Sequence, residues 1–164
     1  MPIIRLETLI RAPIGLCFDL SRDIDLHIRS TKSTNESAIA GVTTGLIGLG
    51  EEVTWQATHF RVRQKLTTRI TAFSRPDHFR DSQIRGAFKR FDHDHFFFGV
   101  RDTLTRMVDQ FDYQSPLGVV GRMADLLFLE KYMRNLLQKR NDVIKEEAEA
   151  KFSRKSRATP DRMS

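Results

Sequence analysis

Residues 88–98, FKRFDHDHFFF, place two histidines and two aspartates among phenylalanines. His93 and His95 are two residues apart, so both side chains would lie on one face of a β-strand. Two imidazoles on one face can bind a metal ion with a third ligand, or transfer protons near neutral pH. They can also be hydrogen-bonded inside a core, with no ligand at all. The surrounding elements decide which chemistry is available.

The composition is that of a single globular domain. The chain has 164 residues, of which 40% are hydrophobic and 29% are charged. No apolar run approaches the roughly 18 residues needed to span a bilayer, and the N-terminus lacks a signal-peptide pattern. The single Cys17 lies in the apolar string IGLCFDL, which predicts a buried, inert thiol and suits a reducing compartment. We therefore expect a cytoplasmic protein.

The positive charge is concentrated at the C-terminus. Residues 148–164 hold five basic and two acidic side chains, so half of the net charge of +6 lies there. The remaining body is too weakly charged to favour DNA as a partner. We predict a folded domain over residues 1–147 and a basic, disordered tail over 148–164. The tail is either a solvated terminus or a weak contact for an anionic partner.

Period-two alternation of Ile4, Leu6, Thr8 and Ile10 predicts a first strand. Pro13 and Asp23 are suitable starts for two short helices. The glycine-rich residues 41–50 lack a phosphate-loop pattern and predict turns. Strand patterns then fill residues 51–113, including one long strand over 81–98 with Gly86 as a bulge or a close-packing point. Short turns between consecutive strands indicate an antiparallel meander.

The C-terminal pattern is helical. Apolar residues recur at spacings of three and four over residues 119–147, which predicts a helix roughly 40 Å long. A helix of that length fits a position across a curved sheet. Its charged side chains are predicted to face solvent: Glu130, Lys131, Arg134, Lys139 and Arg140.

This order of elements resembles the helix-grip architecture of the SRPBCC superfamily, which includes START, Bet v 1-like and polyketide cyclase/dehydrase-like proteins. Within the superfamily, the sequence looks like an uncharacterised bacterial branch. The resemblance is carried by the final helix and by the segments APIGLCFDLSRDIDLH, GEEVTWQATHF, ITAFSRPDHFRDSQIRGAFKRFDHDHFF and TLTRMVDQFDYQSPLG. It implies an α+β fold in which a curved antiparallel sheet wraps around a long C-terminal helix, with two short helices after strand 1. It also implies an apolar cavity between sheet and helix. The superfamily includes lipid carriers, receptors, cyclases and co-chaperones, so the resemblance does not select a function.

Strand parity predicts which side chains face this cavity. His93 and His95 share a face with Phe91 and Phe97, whereas Asp92 and Asp94 point towards solvent. The predicted ligand-binding residues are Trp55, His59, Phe91, His93, His95, Phe97, Thr105, Met107, Asp109 and Phe111.

Several functions fit this face. Binding of a small hydrophobic or amphipathic ligand, lipid-like or polyketide-like, needs only an apolar pocket with polar anchors and is favoured. A cyclase- or dehydratase-like enzyme would use His93 and His95 as acid and base, oriented by Asp109. A non-enzymatic interaction module would use the basic tail. The H-x-H pattern alone is weak evidence for a metal, so no metal or cofactor is predicted.

Overall fold

The computed structural model describes residues 3–59, 61–115 and 128–158. Their elements form one antiparallel sheet in the order β1-β7-β6-β5-β4-β3-β2, with helices on its concave face. The predicted α+β architecture is confirmed. In chain order the elements are β1 (Ile3–Ile10), α1 (Ile14–Ser21), α2 (Ile24–Ser30), β2 (Ser37–Gly41), β3 (Glu52–His59), β4 (Val62–Ser74), β5 (His78–Arg85), β6 (Arg90–Arg101), β7 (Leu104–Gln114) and α3 (Glu130–Ala158).

The N-terminal elements follow the sequence pattern closely. In β1, buried and exposed residues alternate as the period-two pattern predicts. Asp23 caps α2, since its Oδ1 accepts a hydrogen bond from the Leu26 N–H at 3.0 Å. The predicted first strand and two short helices are confirmed.

The predicted long strand over residues 81–98 is wrong, because the chain reverses there into the β5–β6 hairpin. Gly86 lies in the connecting turn rather than in a bulge, but it is a close-packing point as the alternative prediction had it. A Cβ on Gly86 would lie 2.6 Å from Leu66 Cδ1, which is too close. The turn can pass this near the Leu66 side chain because glycine has no side chain of its own. The hairpin pairs Asp81 with His93, which brings a carboxylate beside the histidines.

Helix α3 extends beyond the predicted boundary at residue 147. Ala148 is fully buried, Phe152 packs against the core, and Glu149 Oε1 accepts the Arg11 N–H at 2.9 Å. Residues 148–158 are therefore helical and not a disordered tail, since these contacts hold them on the domain. The predicted helical residues 119–127 and tail residues 159–164 lie outside the described residues.

The concave face is solid at one end. Phe18 of α1 makes edge contacts with Phe73, Phe79 and Phe97, with ring centroids 5.3–5.4 Å apart. Each such side chain contributes about 1.5–3 kcal/mol by burial. A second cluster packs Leu137 of α3 against β1, β6 and β7 through Ile4, Leu6, Phe91, Phe111 and Tyr113.

Candidate functional site

A cavity of about 460 Å³ lies between the sheet and α3, within the size range of small-molecule sites. Its walls are mainly aromatic and aliphatic. The apolar lining comprises Trp55, Ala57, Leu66, Ala87, Phe88, Phe91, Phe111, Phe128, Leu129, Met133, Leu136 and Leu137. Polar side chains include His27, Thr31, Glu36, His59, Asp81, His93, Tyr132 and Arg140.

Part of the predicted ligand-binding set lies on this surface. Trp55 and His59 reach it from β3, Phe91 and His93 from β6, and Phe111 from β7. All belong to the face that strand parity assigned to the interior. Ligand contact by these residues remains a prediction.

The rest of the predicted set does not line the cavity. Phe97 and Met107 belong to the solid end of the core. Thr105 Oγ1 donates to Ala12 O at 2.8 Å, while His95 and Asp109 are buried behind the cavity surface. Parity assigned the interior correctly, but it cannot show that α1 fills one end of that interior.

The opposite face of β6 differs from a simple solvated surface. Asp94 points away from the histidines but is only 4% exposed. Arg80 Nε donates to its Oδ1 at 2.8 Å, and His78 Nε2 lies 2.7 Å from the same oxygen. Burial alone would raise the pKa of Asp94, but these partners hold it below its usual value. The expectation that Asp94 is solvated is therefore wrong, because β5 side chains cover it.

His93 and His95 lie between two carboxylates on the neighbouring strands. Asp109 of β7 has its Oδ1 3.0 Å from His93 Nε2 and 2.8 Å from His95 Nδ1. Asp81 of β5 has its Oδ1 3.1 Å from His95 Nε2 and 3.8 Å from His93 Nδ1. The close approach of His95 Nδ1 to Asp109 is not aligned for a hydrogen bond and is best described as an ionic contact.

Helix α3 completes this polar cluster from above. Asn141 Nδ2 donates to Asp109 Oδ2 at 2.7 Å, and Arg140 Nη1 lies 3.5 Å from Oδ1. Burial alone would raise the pKa of Asp109, but the hydrogen bond from His93 and the contact with His95 outweigh it. The pKa is therefore well below its usual value, and Asp109 is a buried carboxylate.

The surroundings shift the pKa values of His93 and His95 in opposite directions. Burial and the neighbouring His95 lower the pKa of His93. Burial and Arg140 also act to lower the pKa of His95, but Asp109 and Asp81 on its two sides outweigh them and raise it. His93 is thus the ring of the pair that loses its proton more readily, and it is also the one that lines the cavity.

Arg140 was predicted on the solvated face of the helix, and this is wrong. Its side chain is 8% exposed, and Nη2 donates to Ser21 O at 2.7 Å. Its position gave a usable signal, because Arg140 follows Leu137 by three residues and precedes Ile144 by four. It therefore lies on the apolar stripe.

A second cluster of polar side chains lies on the cavity wall near β2 and β3. His59 Nδ1 is 2.7 Å from the Tyr132 hydroxyl, and Glu36 Oε1 is 3.6 Å from His27 Nε2. The His27 ring packs on Trp55 with centroids 4.3 Å apart. Burial lowers the pKa of His59, whereas burial and Glu36 raise that of Tyr132. Glu36 and His27 belong to no motif, so nothing in the sequence indicated them.

Comparison with known proteins identifies the fold. No protein-family model and no curated protein sequence matches the chain. Solved structures do match. TTHA0849 from Thermus thermophilus superposes with a TM-score of 0.67 at 18% identity, over 87% of this chain and 97% of that one. Ginseng major latex-like protein 151 from Panax ginseng gives 0.62 at 12% identity, over 90% and 97%.

Ara h 8.0201 gives a TM-score of 0.60 at 8% identity, over 87% of this chain and 97% of that one. The chain has the Bet v 1-like helix-grip fold. At these identities the likeness concerns the fold alone. None of the described helices is both long and apolar enough to cross a membrane.

Proposed function

We propose that the protein binds a small hydrophobic or amphipathic molecule in the cavity between the sheet and α3. The observation that carries this proposal is the cavity itself: about 460 Å³, walled by aromatic and aliphatic side chains. A ligand that fills this cavity removes apolar surface from water, which favours binding by about 25 cal/mol per Å². The entropic cost of association is subtracted from this gain. The Bet v 1-like fold is in keeping with ligand binding in general terms.

The polar wall residues favour an amphipathic ligand over a purely apolar one. Glu36, His59 and Tyr132 offer hydrogen-bonding groups on one part of the wall, and His93 and Asp81 on another. A few polar groups in an apolar site fix the orientation of a ligand. Lipid-like and polyketide-like molecules both combine these properties.

Trp55 provides a direct test, because it is the only tryptophan in the chain and lines the cavity. Titration with fatty acids, fatty alcohols and aromatic polyketides should change its fluorescence in a saturable way. Ala57→Phe, which places a ring in the cavity, should abolish the change. Val62→Phe, at a strand position that is 57% exposed, is the matched control and should leave it intact.

Native mass spectrometry of protein purified from its own host should also show a co-purifying small molecule. Repeated absence of any bound mass, together with a fluorescence signal that never saturates, would overturn the proposal. The cyclase- or dehydratase-like alternative and the interaction module remain predictions.

A further inference from the structure

The β5–β6 hairpin supplies what the H-x-H pattern lacks in the sequence, a third metal-ligating side chain. Asp81, His93 and His95 each offer one ligand atom, and these atoms lie within 4.8 Å of one another. We propose that these side chains form a binding site for a first-row divalent metal ion, open towards the cavity. This site does not depend on the proposed function, because a metal ion alone can test it.

Two of the three separations between the ligand atoms are close to those that zinc requires. Asp81 Oδ1 lies 3.1 Å from His95 Nε2 and 3.8 Å from His93 Nδ1. Bonds of about 2.0–2.1 Å in tetrahedral geometry place neighbouring ligand atoms about 3.3 Å apart. Small side-chain rotations would therefore be enough to hold an ion between them. Two imidazoles and one carboxylate suit zinc, cobalt and ferrous iron.

Asp109 occupies the position of a supporting partner. It faces the remaining ring nitrogen of both histidines, at 3.0 Å from His93 Nε2 and 2.8 Å from His95 Nδ1. Metal-ligating histidines commonly pair their second nitrogen with a carboxylate, which fixes the orientation of the ring. One buried carboxylate here lies beside the second nitrogen of both rings and is hydrogen-bonded to that of His93.

The arrangement around His95 favours a nearby cation. The ring lies between two carboxylates: Asp81 Oδ1 is 3.1 Å from Nε2, and Asp109 Oδ1 is 2.8 Å from Nδ1, away from the hydrogen-bonding direction of that nitrogen. In either neutral tautomer, one unprotonated nitrogen therefore lies within 3.1 Å of an acceptor-only oxygen, which is repulsive. A second proton on His95 relieves this repulsion, and so does a metal ion between His95 and Asp81. The experiment below separates these two occupants.

Arg140 is compatible with the ion because Asp109 compensates its charge, at 3.5 Å from Nη1. A divalent ion bound to Asp81 then leaves one positive charge at the site. Asp81 and His93 line the cavity, so the open coordination position faces it. An anionic group of a cavity ligand, such as a carboxylate or enolate, would complete the coordination.

The test is titration of the metal-stripped full-length protein with zinc, in competition with a chromophoric chelator. We expect one zinc per chain, and cobalt should give the visible absorption of a low-symmetry site with nitrogen ligands. Asp81→Asn and His93→Gln should each weaken zinc binding by about 100-fold or more, beyond the 10- to 100-fold expected for Asp109→Asn. His78→Gln is the matched control, because His78 contacts Asp94 on the opposite face of the sheet.

Circular dichroism would establish that each variant is folded, and the cobalt spectrum of the unmodified protein needs no variant. Zinc binding that is absent or substoichiometric would overturn the proposal and leave a proton as the cation at His95. Binding that Asp81→Asn and His93→Gln leave unchanged, or that His78→Gln removes equally, would assign the ion to adventitious surface sites and overturn it as well.

Discussion

Arg140 is a permanent cation held inside the molecule, and its partners are fixed by the fold. It donates to Ser21 O at 2.7 Å and faces Asp109 at 3.5 Å. Arg140→Met would remove one cationic contact from the buried Asp109 carboxylate and leave Ser21 O without its donor. Breaking a buried pair in this way costs about 3–5 kcal/mol. We expect a loss of this size in the free energy of unfolding, measured by urea denaturation.

Arg134→Met is the control on the same helix. Arg134 is half-exposed, donates to Arg5 O at 3.2 Å and pairs with Glu130 at 3.3 Å, an ion pair that contributes about 0–1 kcal/mol. Equal losses for the two variants would mean that Arg140 contributes no more than a surface charge. The slope of the unfolding free energy against urea concentration should be the same for all three proteins, so that a shift in the unfolding midpoint reports a change in stability.

Glu36 predicts a pH dependence whose sign follows from its surroundings. Burial alone would raise its pKa, but His27, together with Thr31 and His59, outweighs burial and holds the pKa below the ordinary value of 4.5. Tyr132 of α3 also faces this carboxylate. Glu36 therefore binds a proton more tightly in the unfolded chain than in the folded protein. The stabilisation is complete above the unfolded pKa and is lost as the pH falls through the folded one.

The measurement is the difference in unfolding free energy between the unmodified protein and Glu36→Gln across this range. The advantage of the unmodified protein should shrink as the pH falls below about 4.5. Glu7→Gln is a control, because Glu7 is half-exposed on β1 and pairs with Arg106 at 3.6 Å outside the cavity. A difference that keeps growing as the pH falls below about 4.5 would contradict the assignment.

At the scale of elements, alternation along β1 and β6 was enough to identify the inward face, because every second side chain of a strand points the same way. The same pattern could not separate β5 from β6, since a reversal at Gly86 leaves the period-two signal unbroken on both sides. Asp81 was missed for that reason. Composition also misplaced the end of α3, because a basic, polar segment can be helical once a few apolar side chains are buried.

The end of α3 gives a prediction at this scale. Truncation after residue 147 removes Ala148, Phe152 and the Glu149 contact with the Arg11 N–H. Burial of a phenylalanine contributes about 1.5–3 kcal/mol, so we expect a loss of roughly 2 kcal/mol or more. Truncation after residue 158 is the control and should change stability little. Thermal denaturation of both chains decides between an integral helix and a dispensable tail.

The molecule as a whole has one concave face with two different ends. At the solid end, α1 and α2 pack against the sheet around Phe18. At the other, the wall of Trp55, Phe91 and Phe111 faces the cavity below α3. Close-packed interiors respond to an added methyl group, whereas a cavity can take it without moving its neighbours. The same substitution should therefore have different effects at the two ends.

Alanine-to-leucine substitutions compare these ends directly. Ala148 of α3 is fully buried in the solid end, and Ala57 of β3 lines the cavity. Ala148→Leu should lower the free energy of unfolding by about 1–3 kcal/mol, because overpacking displaces neighbouring side chains. Ala57→Leu should change it by less than about 1 kcal/mol while weakening the binding of a cavity ligand. Equal destabilisation by both substitutions would mean that the cavity is closed in solution. In that case the wall around Ala57 would already touch α3, and a leucine there would be overpacked as well.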